Sequence, residues 1–284
     1  MFRSSLFMLM ALAGMMPMFA FGQTDEIRDN LVASQKQYDR ARDQARQQVL
    51  DRFAEVMKEL ASKGQIDASI EVQKAQKLFV AEGVMVTSAA MKDSFVDYLR
   101  ETRLARTIHQ SAYEAAVKDY GKAVKIEQAA ELKAEIERLF PANPAVSLQF
   151  GSRKNFCLLH ANSHAVVDNV TDLTRMDATF EMTPGLANKE ACSFRSVNYP
   201  NHYLAHGDFQ LHLTPSNPSD DFRKNATFKK VPVTKSTVVF ESLNYPDYFI
   251  RVRPDKTVWV DKRDGSKSFL NSATFIIADP QLKF

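Results

Sequence analysis

The sequence of 284 residues has little cysteine, a single tryptophan and almost no excess of charge of either sign. Its two cysteines exclude a disulfide-rich scaffold and a zinc site with four cysteine ligands. The formal charge of +3, from 37 basic and 34 acidic residues, is too balanced for a protein that binds nucleic acid through its overall field. Hydrophobic residues make up 45% of the chain and charged residues 25%, so we expect a folded protein, long enough for two domains.

Proline is missing from residues 23–140, whereas ten of the eleven prolines lie in residues 141–284. Proline breaks helices but is tolerated in turns and at strand edges. The distribution therefore predicts an α+β protein with separate domains, helical over residues 23–140 and β over residues 141–284. The two prolines of Pro141-Ala-Asn-Pro144 mark the joint, because a helix does not easily run through them.

The first 22 residues have the pattern of an export signal. Arg3 precedes an apolar run, and the small residues Ala20 and Gly22 precede Gln23, which is the pattern that a signal peptidase accepts. The alternative is a membrane anchor, since roughly twenty apolar residues can cross a bilayer. We expect Met1–Gly22 to be a cleaved signal peptide and the mature protein to be secreted or periplasmic.

Apolar residues recur at spacings of three and four between Tyr38 and Leu60, which places them on one face of a helix. Residues 91–140 resemble a second copy of this pattern, at an offset of roughly sixty residues. The pattern predicts two antiparallel helical hairpins, arranged as a bundle or as a long coiled-coil stalk. His109 is the only histidine there, so we expect no metal site, and we interpret the segment as a spacer or self-association element.

The β part contains three internal repeats. The phrases Asp177–Phe180, Asn225–Phe228 and Ser272–Phe275 share the letters Ala-Thr-Phe and are spaced by 48 and 47 residues. An alternating strand pattern precedes each phrase, which divides the region into repeats of about residues 145–190, 191–236 and 237–284. Three equal repeats of short strands predict a β-trefoil, with a β-sandwich as the alternative.

Several phrases of these repeats are similar to one known family. Ser193–Pro200 (SFRSVNYP), Asn201–His206 (NHYLAH) and Asp177–Phe180 (DATF) resemble the arabinofuranose-binding module of α-L-arabinofuranosidase B, a family 42 carbohydrate-binding module. The resemblance covers about residues 145–280. It implies a β-trefoil that binds arabinofuranose side chains of arabinoxylan and arabinan in shallow pockets, one for each competent repeat. In the parent enzymes, hydrolysis belongs to a separate domain.

The family typically uses histidine, tyrosine and aspartate for binding, because a sugar needs fixed donors and acceptors beside an apolar platform. In our alignment His160 and Asp172 of the first repeat match His206 and Asp220 of the second, whereas the third repeat has Val252 and Lys267. Histidine and aspartate are therefore kept together twice and lost together once, which predicts that they act jointly. The second repeat has the fullest set of predicted carbohydrate-binding residues, namely His202, Tyr203, His206, Asp220 and Asp221.

Other polar residues of the repeated phrases are interpreted as turn residues that bond to the backbone. They are Asp177, Asn225 and Ser272 of the Ala-Thr-Phe phrases, and Asn198 and Asn244 of the two Asn-Tyr-Pro phrases.

Three functions fit this organisation. The first is a secreted, non-catalytic binder of arabinose-containing polysaccharide, without a cofactor and with possible self-association through the helices. The second is an α-L-arabinofuranosidase, which needs two carboxyl groups roughly 5–10 Å apart beside the scissile bond. The third is a scaffold in which the helical segment is the functional part. Cys157 and Cys192 are compatible with one disulfide or with two buried thiols.

Overall fold

The structure is a computed structural model that describes residues 25–283, so the predicted signal peptide Met1–Gly22 lies outside the described residues. The helical segment consists of four long helices, in which two short connections form two hairpins. Within residues 25–283, none of the helices is both long and apolar enough to cross a membrane. The helices are α1 (Glu26–Ser62), α2 (Ile66–Glu82), α3 (Lys92–Lys122) and α4 (Ile126–Leu139).

The two helical hairpins pack against each other through aromatic rings. Phe53 of α1, Phe79 of α2 and Phe95 of α3 are fully buried, with ring centroids 5.9–6.1 Å apart. Burial of three aromatic side chains at one point is a large apolar contribution to this interface. Gly64 lies between α1 and α2 with a φ of +70°, a conformation that a helix end readily adopts with glycine.

The described part of the chain, up to residue 283, continues with twelve strands, four in each predicted repeat, together with two short helices. The first repeat contributes β1 (Ala145–Phe150), β2 (Phe156–Ala161), β3 (His164–Asn169) and β4 (Phe180–Pro184). The second contributes β5 (Cys192–Ser196), β6 (His202–Gly207), β7 (Gln210–Pro215), α5 (Asp220–Asn225) and β8 (Phe228–Pro232). The third contributes β9 (Val238–Ser242), β10 (Tyr248–Val252), β11 (Val258–Lys262), α6 (Lys267–Ala273) and β12 (Phe275–Ala278).

The predicted β-trefoil is wrong, because the antiparallel strands close into a ten-stranded barrel. Following hydrogen-bonded neighbours, the ring runs β10-β11-β7-β3-β2-β1-β4-β5-β8-β9 and returns to β10. The remaining strands attach to it, β12 beside β1 and β9, and β6 beside β5 and β7. The sequence repeats indicate which segments contribute similar strands. The way the sheet closes depends on pairings between strands of different repeats, and no pattern within one repeat encodes those pairings.

The core of the barrel is built from the same position of each repeat. Phe180, Phe228 and Phe275, the phenylalanines of the Ala-Thr-Phe phrases, are fully buried in this core. Each begins a strand that pairs with the next repeat or closes onto the first. The repeated phrase therefore marks the point where a loop enters the barrel.

Both cysteines are free and buried within the described residues, so no disulfide links them. Burial raises the pKa of Cys157 and of Cys192 to about 11 in each case. The two thiols are therefore protonated and act as small apolar side chains of the barrel.

The helical segment and the barrel share one apolar cluster. Val49 and Met85 of the helical segment are buried together with Met176, Val197 and Leu282 of the barrel region. Met85 belongs to the connection between α2 and α3, and this connection lies directly on the barrel surface. The shared cluster fixes where the connection sits, which decides the accessibility of the site described next.

Candidate functional site

The barrel carries a buried polar cluster at the contact between the first and second repeats. Nε2 of His160 lies 3.1 Å from Oδ1 of Asn198 and 3.4 Å from Oδ1 of Asp177. The amide of Asn198 donates to Asp177 over 2.7 Å, and the hydroxyl of Ser196 donates to Asn198 over 2.8 Å. We call these four residues, His160, Asp177, Ser196 and Asn198, the first cluster.

The same arrangement recurs between the second and third repeats. Nε2 of His206 lies 3.3 Å from Oδ1 of Asn244 and 3.3 Å from the hydroxyl of Ser242. The amide of Asn244 donates to Oδ1 of Asn225 over 2.7 Å, and Ser242 donates to Asn244 over 2.9 Å. His206, Asn225, Ser242 and Asn244 form the second cluster, which matches the first residue by residue except that Asn225 replaces Asp177.

The sequence brings these residues together because each cluster is shared by two consecutive repeats. The histidine stands near the end of the second strand of one repeat, and the Asp or Asn immediately precedes the letters Ala-Thr-Phe of that repeat. The serine is the last residue of the first strand of the next repeat, and the asparagine lies in the bend that follows that strand. A backbone bond joins the two parts in both places, from Val197 N to Thr179 O and from Leu243 N to Thr227 O.

The second cluster is open and carries an aromatic surface. Phe209 lies 5.4 Å from Tyr248 in a stacked arrangement and 4.9 Å from Tyr245, and Tyr245 lies 5.5 Å from the ring of His206. Phe209 and Tyr245 are 36% and 39% exposed, although the ring of His206 behind them is buried. Exposed rings beside fixed donors and acceptors are the combination that a sugar-binding site needs.

The first cluster is closed by the connection between α2 and α3. The backbone N–H of Met85 donates to the carbonyl of Asn198 over 2.8 Å, and the hydroxyl of Thr87 donates to Asp177 over 3.4 Å. Met85 and Asn198 are fully buried in this contact. Residues 84–87 therefore cover the first cluster on this side.

Burial sets the charge of both clusters. It lowers the pKa of His160 and raises the pKa of its neighbour Asp177, so both groups are driven towards their neutral forms. Burial also lowers the pKa of His206, against a smaller opposite effect of its hydrogen bond to Asn244. The second cluster, which has an amide in place of Asp177, therefore presents neutral donors and acceptors at neutral pH.

Two of the predicted residues of the second repeat lie away from His206. His202 faces the first cluster, with its ring 5.3 Å from that of Tyr199, and its buried Nδ1 has no hydrogen-bond partner in the described part of the chain. Tyr203 packs 6.4 Å from Phe222 of α5, in a separate apolar cluster. The repeat places His202 where the third repeat has Tyr248, which explains why it belongs to the preceding cluster.

The predicted aspartates lie on exposed helical or turn surface. Asp220 and Asp221 occupy the first turn of α5, and Asp220 lies 3.6 Å from Arg223. Asp172 forms ion pairs with Arg175 at 2.6 Å and with Lys92 at 4.0 Å. Among residues 25–283, no hydrogen bond or ion pair joins either Asp172 to His160 or Asp220 to His206, and the expected joint action of these pairs stays a prediction.

Four residues of the two clusters, Asp177, Asn198, Asn225 and Asn244, are interpreted from the sequence as turn residues. In the structure Asp177 and Asn198 contact His160, Asn244 contacts His206, and Asn225 bonds to Asn244. A signal for them was present, because they stand at fixed positions in the repeated phrases. It was missed because each site was expected within one repeat. Across residues 25–283, no group of three or more His, Cys, Asp or Glu side chains is arranged to hold a metal ion.

These features define a repeat-built β-barrel domain with matched polar clusters at the contacts between repeats. Residues 151–277 match the family model of the alpha-L-arabinofuranosidase B (ABFB) domain, which supports an arabinofuranose-binding module of that kind in this part of the chain. The resemblance inferred from the repeated phrases is thereby confirmed.

Relatives of known name are similar over parts of the chain. Alpha-L-arabinofuranosidase B of Penicillium canescens is 28% identical over 115 residues, which are 40% of this chain and 25% of that protein. Alpha-L-arabinofuranosidase B of Aspergillus niger is 33% identical over 67 residues, 24% of this chain and 13% of that protein. The chain thus spans about a quarter or less of the length of these relatives. A solved arabinofuranosidase complexed with arabinofuranosyl-alpha-1,2-xylobiose covers 51% of this chain and 32% of its own, with 24% identity and a TM-score of 0.46.

Proposed function

We propose that this protein binds arabinofuranose side chains of arabinose-containing polysaccharide through the second cluster, without cleaving them. The observation that carries the proposal is the open second cluster, in which His206, Asn225 and Asn244 lie beside the exposed rings of Phe209 and Tyr245. The names of the relatives support arabinofuranose as the sugar.

The chemistry of the second cluster suits a neutral sugar. Hydroxyl groups both donate and accept, and the cluster offers an imidazole, two carboxamides and a hydroxyl, which do both. Phe209 and Tyr245 provide apolar surface for the carbon face of a furanose ring. A site of this size in a shallow surface should bind weakly, with a Kd of about 0.1–1 mM, or about −4 to −5.5 kcal/mol.

We propose one working site for each chain, because residues 84–87 cover the first cluster. Weak single sites gain from avidity when several are linked. Self-association of the helical segment would provide that linkage on a polysaccharide with many side chains. Export of the chain, as expected from Met1–Gly22, would bring it to such a polymer.

A hydrolase is the second candidate, since the relatives bear the names of arabinofuranosidases. Hydrolysis requires a general acid and a second carboxyl group on opposite sides of the bond. The four residues of the second cluster include no carboxyl group, which supports binding without cleavage. Release of p-nitrophenol from p-nitrophenyl arabinofuranoside by the pure full-length protein would favour the hydrolase instead.

Calorimetry with arabinan and arabinoxylan fragments tests the binding proposal. Tyr245→Ala should weaken binding at least fivefold because it removes an exposed platform ring, whereas Asp220→Ala tests the predicted pairing with His206. If the second cluster as described is the site, Asp220→Ala leaves the affinity within about twofold. Absence of binding at millimolar ligand would contradict the proposal. If Asp220→Ala lost binding while Tyr245→Ala kept it, the result would support the predicted pairing of His206 with Asp220 instead.

A further inference from the structure

The third contact between repeats, where the third meets the first, holds a cavity in place of a polar cluster. Val252 stands where the other repeats have His160 and His206, and Ser272 stands where they have Asp177 and Asn225. The matching backbone bond runs from Gly151 N to Thr274 O over 2.9 Å. The cavity here has a volume of about 420 Å³, room for a monosaccharide unit.

Four cationic side chains line this cavity, and its lining includes no carboxylate. Arg153 follows β1, Arg251 lies on β10, and Arg253 and Lys256 belong to the turn after β10. They come from different parts of the chain and converge only through closure of the barrel. This concentration of one charge contrasts with the second cluster, which is built from neutral groups.

Nearby acids only partly balance these cations. Arg253 lies 2.8 Å and Arg251 3.8 Å from the carboxylate of Asp261, and Lys256 lies 3.0 Å from Asp168. Arg153 has no carboxylate within ion-pair distance in residues 25–283; its guanidinium lies 5.3 Å from the ring centre of Phe156. Asp255 and Asp264 also interact electrostatically with Arg253 and Arg251. Arg153 is thus the cavity cation without a carboxylate partner among residues 25–283, and a bound anion would supply one.

The remaining walls suit a sugar ring. Phe150 and Phe156 provide partly buried apolar surface, and Ser268 and Ser272 provide hydroxyl groups. Nε of Arg251 donates to Oγ of Ser272, another lining residue, over 2.9 Å, which holds this guanidinium at the cavity. Fixed guanidinium groups recognise oxyanions through paired hydrogen bonds.

We propose that this cavity binds an acidic saccharide, a sugar that carries a carboxylate or sulfate group. The guanidinium groups of Arg153 and Arg251 bind the oxyanion, and the ring packs on Phe150 and Phe156. This site does not depend on the second cluster, so binding of arabinofuranose there can fail while this proposal holds.

Titration of the full chain with galacturonate, galactose 6-sulfate, galactose and free sulfate, at constant ionic strength, tests the proposal. Both acidic sugars should bind in the millimolar range and weaken as salt is raised, whereas galactose should bind at least about tenfold more weakly. Preference for one acidic sugar over the other identifies the oxyanion. Equal binding of free sulfate would overturn the saccharide part, and equal binding of galactose would overturn the whole proposal.

Variants locate the site. Arg153→Gln should weaken galacturonate binding about tenfold, because it removes a cation that has no carboxylate partner among residues 25–283, and Arg153→Lys should restore part of it. Lys262→Gln removes the same charge from exposed surface of β11 outside the cavity and should change the affinity less than twofold. Equal losses of galacturonate affinity in Arg153→Gln and Lys262→Gln would show that only the overall charge of the protein matters, and would overturn the proposed site. Asn244→Ala should leave galacturonate binding unchanged, which separates this site from the second cluster.

Discussion

Replacement of Asn244 by alanine is the most informative perturbation of the second cluster. The Asn244 side chain bonds to three groups, with its Oδ1 near His206 and Ser242 and its Nδ2 near Asn225. Asn244→Ala removes this carboxamide and leaves the imidazole and Asn225 without the contacts that hold them in place. It also removes a group that can bond directly to the sugar.

The expected loss follows from the number of bonds. One neutral hydrogen bond contributes about 0.5–1.5 kcal/mol, and displacement of His206 and Asn225 weakens their own bonds to the sugar. We therefore expect a loss of about 1.5–3 kcal/mol of binding free energy, or a Kd about 10- to 150-fold higher. For a site that starts near the millimolar range, calorimetry would detect no binding.

The first cluster provides a matched control. Asn198 makes the same contacts to His160, Ser196 and Asp177, but it is fully buried beneath Met85. Asn198→Ala should lower the free energy of unfolding by about 1–3 kcal/mol, because it leaves buried polar groups without partners. It should leave the affinity for arabinan fragments within about twofold.

The two variants are compared by calorimetry, with folding checked by circular dichroism and urea unfolding. A folded Asn244→Ala protein that binds arabinan fragments at full strength would refute the assignment of the second cluster. Stronger loss of binding in Asn198→Ala than in Asn244→Ala, with both folded, would show that the first cluster is the working site.

Three further predictions concern pH, docking of the helical segment and the thiols. Burial lowers the pKa of five histidines, so these histidines bind protons more readily in the unfolded chain than in the folded chain. The stability that the neutral histidines contribute is therefore fully present above about pH 6.5 and is lost as the pH falls. These histidines are His109, His160, His202, His206 and His212. The raised pKa of Asp177 acts in the opposite direction, one group against five, so urea unfolding at about pH 5.5 should give a lower free energy than at about pH 7.5; an equal or higher value would contradict this. Met85→Ala should cost about 2–5 kcal/mol of unfolding free energy because Met85 is fully buried between helices and barrel, and more than Met57→Ala, whose side chain is only partly buried; equal costs would argue against this docking. Cys157 and Cys192 should react with a thiol reagent only after denaturation, without prior reduction; fast labelling of the native protein would contradict their burial.

Local patterns were sufficient to predict the helical segment and the three repeats of the β part, but not the individual strands or the helices α5 and α6. The proline-free stretch contains α1–α4, and the Ala-Thr-Phe phrases lead into the buried phenylalanines Phe180, Phe228 and Phe275. These features follow from the backbone preferences of proline and from alternation along a strand, both of which are properties of a few neighbouring residues.

Contacts between repeats could not be predicted in the same way. The partners of His206 are Ser242 and Asn244, 36 and 38 residues further along the chain and in the next repeat. Closure of the barrel brings them together, so an alignment that compares positions within one repeat pairs His206 with Asp220 instead. The contact of Met85 with Asn198 likewise depends on how the helical segment packs against the barrel.

The repeated polar residues were also interpreted too conservatively. Asparagine in a turn most often bonds to the backbone, and this general preference favoured a structural interpretation of Asn198 and Asn244. In the structure their side chains bond to histidine, serine and a second Asp or Asn. Equal positions in successive repeats are thus a stronger indication of shared side-chain chemistry than the turn preference of the residue type.

Nuclear magnetic resonance of the labelled full-length protein, titrated with an α-L-arabinofuranosyl oligosaccharide, tests the central claim most directly. Side-chain amide signals of Asn225 and Asn244 and the imidazole signal of His206 should shift together at millimolar ligand, whereas the amide signal of Asn198 beneath Met85 should stay in place. Shifts confined to other parts of the barrel, or no shifts at all at millimolar ligand, would contradict the claim that the second cluster binds the sugar.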